Sequence, residues 1–291
     1  MKQYISVAGH NFVIVCAWSR LFEMMEYNYL PFIINASACN LFELEIVLSD
    51  ENVGEESQPS VLLSDESPYI WTFNSSSPYD YGFSLYGERS WGLLQVNEKE
   101  SRARLVFRPR VPENELSAGV NNAIMLLYAL FSSLHETLLL HSSVVMYYGR
   151  GFAFLGESGT GKSTHSDLWV KHFPGTTILN DDNPVLRLVG DEVMIYGSPW
   201  SGKRNFYRNE GLPLGGLVML EQASANHIQR TDGIQAFASL LISCSCIGWN
   251  RQMAVHVEDT IAEVLHRSHV YRLKCRADKE AALLCHAELT K

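Results

Sequence analysis

The chain of 291 residues is 46% hydrophobic and carries 23 Lys/Arg against 32 Asp/Glu, a formal charge of −9. A chain this long has a prior of about two domains and can bury enough surface to fold without disulfide staples. The negative balance argues against a general affinity for nucleic acid or an anionic membrane, while leaving room for a local basic pocket. The charge is uneven: residues 1–118 hold 8 Lys/Arg and 16 Asp/Glu (net −8), residues 119–291 hold 15 and 16 (net −1).

Residues 1–115 read as a β-rich N-terminal domain. Short strands are expected at Tyr4–Val7, Asn11–Ala17, Leu41–Leu48, Ser60–Leu63, Tyr69–Phe73, Gly82–Leu85, Leu93–Asn97 and Arg102–Phe107. Turn chemistry separates them at Asp50–Gly54, Ser75–Pro78 and Glu98–Glu100, and 49–60 is the most loop-like stretch. Val111-Pro112 closes this domain, and 116–291 form the second. A helix is expected from Ser117 or Ala118 to about Leu134, with Ala123, Leu126, Leu127, Leu130 and Leu134 on its buried face.

Strands are then expected at Leu138–Leu140, Val144–Tyr148 and Phe152–Leu155, a helix over Lys162–His172, and strands at Thr176–Leu179, Val185–Leu188, Val193–Tyr196 and Gly216–Leu220. Helices near Gly233–Ile247 and Val257–His266, a strand at Val270–Lys274 and a helix at Ala277–Leu289 complete the chain. The apolar run Phe12–Trp18 is too short to span a bilayer and no signal-peptide pattern precedes it, so a soluble cytoplasmic protein is expected. Six scattered cysteines form no CxxC pair, which suits reduced, packed thiols.

Gly156-Glu157-Ser158-Gly159-Thr160-Gly161-Lys162-Ser163 fits GxxxxGK[ST] in full, follows an apolar strand and opens a helix. That context is what a phosphate loop requires. Its glycines let backbone N–H groups turn towards phosphate oxygens, and the helix N-terminus adds its positive end. Lys162 is expected to reach the β- and γ-phosphates and Ser163 to ligate Mg²⁺, with Thr164 beside them, so ATP and Mg²⁺ are the expected cofactors.

Asp181-Asp182 lies 19 residues after Lys162, one short helix and one strand away. One carboxylate there can hold Mg²⁺ and the other can take a proton from an attacking hydroxyl. His141 ends an apolar run ahead of the strand pair leading into the loop. Pairing of 144–148 with 152–155 would bring it to the loop's edge. Gly197–Arg204 is a glycine-bearing loop ending in Lys203 and Arg204, with Arg208 beyond, and could bring a cation onto transferred charge. His165 could face the nucleotide or solvent, and Trp200 could be a plug or a base-stacking residue.

The run from His141 to Ser163, followed by Asp181-Asp182-Asn183, resembles the catalytic core of HPr kinase/phosphorylase, a family related to the phosphoenolpyruvate carboxykinases. The resemblance covers 138–196 and extends to the C-terminus, and it does not cover 1–115. It implies an α/β fold: a mixed sheet of this P-loop type with flanking helices, preceded here by the β-rich domain. By the same resemblance His141 assists proton movement, Lys162 contacts phosphate, Ser163 binds Mg²⁺, Asp182 is the base and Asp181 the metal partner, with an arginine such as Arg204 or Arg208 farther on. Ser142 stands where HPr kinases have Gly, and Thr164 replaces the usual acidic residue. No carrier-docking loop is recognisable around 204–220.

The expected function is an Mg-ATP-dependent kinase acting on a hydroxyl, such as a serine of a protein or peptide, and assembly into oligomers is a family habit. A carboxykinase-like small-molecule phosphotransferase and a non-catalytic nucleotide sensor are the alternatives. The N-terminal domain is the expected seat of substrate or partner recognition.

Overall fold

The computed structural model describes residues 1–49, 61–62, 70–74, 81–86, 90–109 and 111–291. The turns expected at Asp50–Gly54 and Ser75–Pro78, and parts of the strands expected at Ser60–Leu63 and Tyr69–Phe73, lie outside them. The architecture is mixed α/β, with two mixed sheets and helices. Two compact units divide the chain, Met1–Phe131 and Ser132–Lys291.

The first unit contains β1 (Lys2–Val7), β2 (His10–Cys16), α1 (Ser19–Tyr29), a 3-10 turn (Leu30–Phe32), β3 (Ile33–Ile34), β4 (Glu43–Leu48), β5 (Val61–Leu62), β6 (Ile70–Asn74), β7 (Tyr81–Tyr86), β8 (Ser90–Asn97), β9 (Arg102–Phe107) and most of α2 (Glu113–Ser133). The sheet order is β3-β1-β2-β4-β9-β8-β7-β6-β5. β4 runs parallel to both β2 and β9.

Helix α1 lies between the strands expected at Asn11–Ala17 and Leu41–Leu48, where no element was expected. Leu21, Met25 and Tyr29 are buried at a spacing of four, so the segment closes on the core as a helix. Helix α2 begins earlier than expected, because the Pro112 carbonyl accepts the Leu116 N–H at 2.9 Å and Glu113 and Glu115 suit its positive end. Its buried face is Val120, Ala123, Ile124, Leu127, Tyr128 and Phe131, whereas Leu134 is exposed. Ala123, Leu127 and Leu130 are buried as expected, and Leu126 is half-buried. Stacking of Phe42 on Phe12 (4.8 Å) and on Phe131 (5.7 Å) ties α2 to the first sheet. By length and composition α2 alone among the described helices could cross a membrane, and 61% of its apolar window is buried within the fold.

The second unit contains β10 (Thr137–Leu139), β11 (Ser142–Tyr147), β12 (Arg150–Leu155), α3 (Lys162–His172), β13 (Thr177–Asn180), β14 (Val185–Val189), β15 (Glu192–Tyr196), a 3-10 turn (Gly202–Arg204), β16 (Gly211–Gln222), β17 (His227–Thr231), α4 (Gly233–Leu241), α5 (Arg251–Arg267), β18 (Val270–Cys275) and α6 (Lys279–Leu289). The order is β10-β14-β15-β16-β12-β11-β13, with β18 also on β16 and β17 on β18. β12, β16 and β18 are parallel neighbours. Strand β16 is longer than expected because its first residues pair with β15 and its later ones with β12 and β18. Strand β17 was not anticipated: it is mostly exposed and lacks an apolar run. The helix expected to reach Ile247 stops at Leu241, where the chain turns to make a Leu140–Cys244 bridge. The core packs Phe152, Phe154, Trp169, Val218, Leu220, Leu273 and Cys285 together. All six cysteines are free thiols; Cys39 is exposed.

Candidate active site

The site forms along one edge of the second sheet. In the β11–β12 hairpin Ser142 pairs with Leu155, so His141 and Gly156 emerge side by side. β13 pairs antiparallel with β11, and the Ser142 N–H donates to the Asp182 carbonyl at 2.9 Å. The acidic pair thereby arrives at the same edge. The C-terminal ends of β12, β16 and β18 open there too, which is where ligands bind in open α/β sheets.

Three glycines shape the Gly156–Ser163 loop, the expected phosphate loop, with positive φ: Gly156 (+144°), Gly159 (+80°) and Gly161 (+102°). A Cβ on Gly156 would lie 2.7 Å from Thr160 Oγ1 and 3.2 Å from the Leu220 carbonyl, so the loop could not close around a larger residue. Thr160 Oγ1 donates to the Glu157 carbonyl at 2.8 Å, and Gln222 Nε2 to the Gly159 carbonyl at 3.1 Å. No side chain caps α3 at Gly161, so its positive end is open to a ligand. Lys162 Nζ folds back to donate to the carbonyls of Gly156 (2.8 Å) and Glu157 (3.1 Å). Burial lowers the Lys162 pKa, while the charges of Asp182 and Asp181 oppose that shift.

The two aspartates occupy different environments. Asp181 has a side chain only 3% exposed, and its Oδ2 faces Arg204 Nε at 3.4 Å. Its Oδ1 accepts from Ser143 Oγ at 2.5 Å. Because the Ser143 proton goes to the carboxylate, Ser166 must be the donor in the 2.6 Å contact between the two hydroxyls. Asp182 is 31% exposed and its Oδ1 lies 3.2 Å from His141 Nδ1. Of the pair, Asp182 is the one presented to a ligand.

Residues 198–204 fold onto this acidic segment, and their last residue, Arg204, also reaches Ser163 at the end of the glycine loop. The Asn183 N–H donates to the Trp200 carbonyl at 3.0 Å. The Asp181 N–H donates to Ser201 Oγ at 3.2 Å, and Asn180 Nδ2 to Ser198 Oγ at 3.1 Å. Trp200 is 3% exposed, a core residue with no face for a base. Gly202 has φ +56°, and a Cβ there would sit 3.1–3.3 Å from Asp182.

Arg204 bridges two elements. It donates to the Ser163 carbonyl at 3.3 Å, pairs with Asp167 on α3, and reaches Asp181. Arg208 pairs instead with Glu210 at 3.5 Å. The Lys203 side chain lies outside the described residues. His165 is 3% exposed and accepts from Trp169 Nε1 at 3.3 Å. Burial pulls its pKa down to about 4, so it is a neutral core acceptor.

The residues present fit Mg-ATP in kind: glycine cradle, lysine and open helix end for phosphates, and Ser163 beside Lys162 for the metal. Among the described residues no group of three His, Cys, Asp or Glu could hold a metal alone, so ligands to Mg²⁺ would have to include phosphate oxygens and water. Two clefts flank the loop. One, of about 370 Å³, is lined by Gly159–Gly161, Thr164, Gln222 and the 275–277 segment. The other, of about 520 Å³, lies against Glu157–Thr160 and α4.

No family model matches the chain, and no curated protein matches it. Among solved structures, the HPr(Ser) kinase/phosphatase from Coxiella burnetii is similar at 9% identity and a TM-score of 0.33, over 52% of this chain and 95% of that chain. The residues around the phosphate loop therefore carry the functional reading by themselves.

Proposed function

We propose that the protein is an Mg-ATP-dependent phosphotransferase acting on a hydroxyl. The observation that carries this reading is the meeting, at one sheet edge, of a complete phosphate loop with a half-exposed carboxylate–histidine pair, Asp182–His141. Bound Mg²⁺-ATP supplies the γ-phosphoryl group and neutralises part of its charge. The acceptor oxygen bonds to the γ-phosphorus, the bridging P–O bond to the β-phosphate breaks and ADP leaves. The acceptor's proton passes to Asp182, whose Oδ1 is oriented by His141. Lys162 exchanges its carbonyl partners for phosphate oxygens. Arg204, engaged by Ser163, Asp167 and Asp181, holds the first turn of α3 and the acidic segment in register and acts as a positioning residue.

The test is transfer of label from ATP. Asp182→Asn keeps nucleotide binding and lowers transfer by about 10²- to 10⁴-fold. Unaltered turnover in that variant sinks the base assignment.

A further inference from the structure

The 520 Å³ cleft has Met219 on its floor beside the Leu220 backbone and a wall of Ser239 and Ile242, and is closed on one side by Glu157–Thr160 of the glycine loop. Its volume suits a small molecule. The segment beside it leads to the backbone of His141: Ile242 lines the cleft, and the carbonyl of the next residue, Ser243, accepts the His141 backbone N–H at 2.7 Å.

Arg272 of β18 lines the same cleft. It is half-buried, with Met219 and Gln229 opposite it in the ladder, and its guanidinium pairs with no group among the described residues. The two carboxylates of the cleft do not neutralise it. Glu221 is engaged by Lys274 at 3.4 Å, and Glu157 is exposed at the loop. A half-buried guanidinium with no partner among the described residues, beside Met219, is a ready receptor for an anion.

We propose that this cleft seats the phosphoryl acceptor, and that the acceptor is a small hydroxyl compound whose carboxylate or phosphate pairs with Arg272. This rests on the phosphotransferase reading and narrows its substrate class. The exposed Ile242 side chain and Met219 would cover the acceptor's carbon skeleton, and Arg272 would fix its far end so that the hydroxyl points back towards Asp182.

The experiment uses the full chain saturated with Mg-ADP, so that anions cannot simply occupy the phosphate loop. D-Glycerate and glycerol 3-phosphate are titrated as carboxylate and phosphate probes, with glycerol as the uncharged control. At least one anion is expected to bind tenfold or more tightly than glycerol, and the preferred one tells carboxylate from phosphate. Arg272→Ala should cost that anion at least tenfold, Arg272→Lys should retain most of the affinity, and ADP affinity should stay unchanged in both. Absence of anion binding, binding indifferent to Arg272→Ala, or a loss of ADP affinity instead overturns the proposal. Replacing ADP by ATP then separates the two readings. Anion binding with no ADP formed overturns the acceptor role of the cleft and leaves the Arg272 anion site in place, while the phosphotransferase reading stands or falls on label transfer from ATP in the Asp182→Asn comparison. Transfer to glycerol as fast as to either anion upholds phosphotransfer and overturns the anionic acceptor.

Discussion

The two units solve the same architectural problem with different results. Each is built on a sheet of nine described strands, and each contains three parallel neighbours, β2-β4-β9 in the first and β12-β16-β18 in the second. In the first, charges on the exposed sheet face neutralise one another, as Lys2 does Glu43 (3.3 Å) and Arg104 does Glu45 (3.7 Å). Such exposed pairs contribute about 1 kcal/mol or less. In the second, Lys162, Arg204, His141, Asp181 and Asp182 converge on a glycine loop at one edge. Parallel pairing alone does not create a site. What differs is a strand end that breaks into left-handed glycines, and a neighbouring strand that ends in acid.

Perturbing the second unit should therefore change chemistry, and perturbing the first should change stability. The largest effect is expected from Lys162→Ala, which should lower transfer by about 10²- to 10³-fold and weaken nucleotide binding, read by label transfer and calorimetry. Full activity in that variant would end the comparison.

His165 tests the core beneath the loop. The unfolded chain takes up a proton at about pH 6.5 that the folded chain refuses until about pH 4. The stabilisation is thus fully present above about pH 6.5 and is lost as pH falls towards 4, up to about 3 kcal/mol in all. His165→Gln keeps an acceptor for Trp169 without titrating, so its urea-unfolding stability should fall less over that window. An unchanged acid limb would exclude His165 as its source.

Gly202→Ala should cost about 1–2 kcal/mol for its φ of +56°. It should also lower transfer roughly tenfold by pressing on Asp182, a loss of about 1.4 kcal/mol in transition-state binding. A stability loss with wild-type turnover would show that Asp182 tolerates displacement. The smallest effect is expected in the first unit. Tyr128→Phe removes the hydrogen bond from the Tyr128 hydroxyl to the Val7 carbonyl (3.2 Å) and should destabilise by about 1 kcal/mol without altering transfer. A fall in turnover there would assign the first unit a part in catalysis.

Much of the second unit was legible because its signals are local. The α3 limits coincide with the expected Lys162–His172, since a glycine loop opens the helix and the lysine, serine and apolar residues follow at fixed spacing. The separate environments of Asp181 and Asp182 were not legible. They depend on Ser143 and Arg204, which come from distant segments and meet only through strand pairing. Arg272 was passed over inside an expected strand. Its alternation with Tyr271 and Leu273 places it on the opposite face, but nothing local says that a cleft lies there. Helix α1 was missed although Leu21, Met25 and Tyr29 recur every fourth residue, because at eleven residues it is too short to be stable by itself and forms through its packing on the core.

The folded-back Lys162 has a consequence for nucleotide choice. The Lys162 ammonium donates to two carbonyls of its own loop, so the loop competes with a ligand for the same charge. Hydrogen bonds to a charged group contribute about 1.5–3 kcal/mol each, and an incoming phosphate gains only the excess over them. On the proposed reading, a monophosphate too short to reach Nζ leaves those bonds in place and gains nothing from the lysine. The loop would thus measure the length of the polyphosphate chain before any chemistry begins.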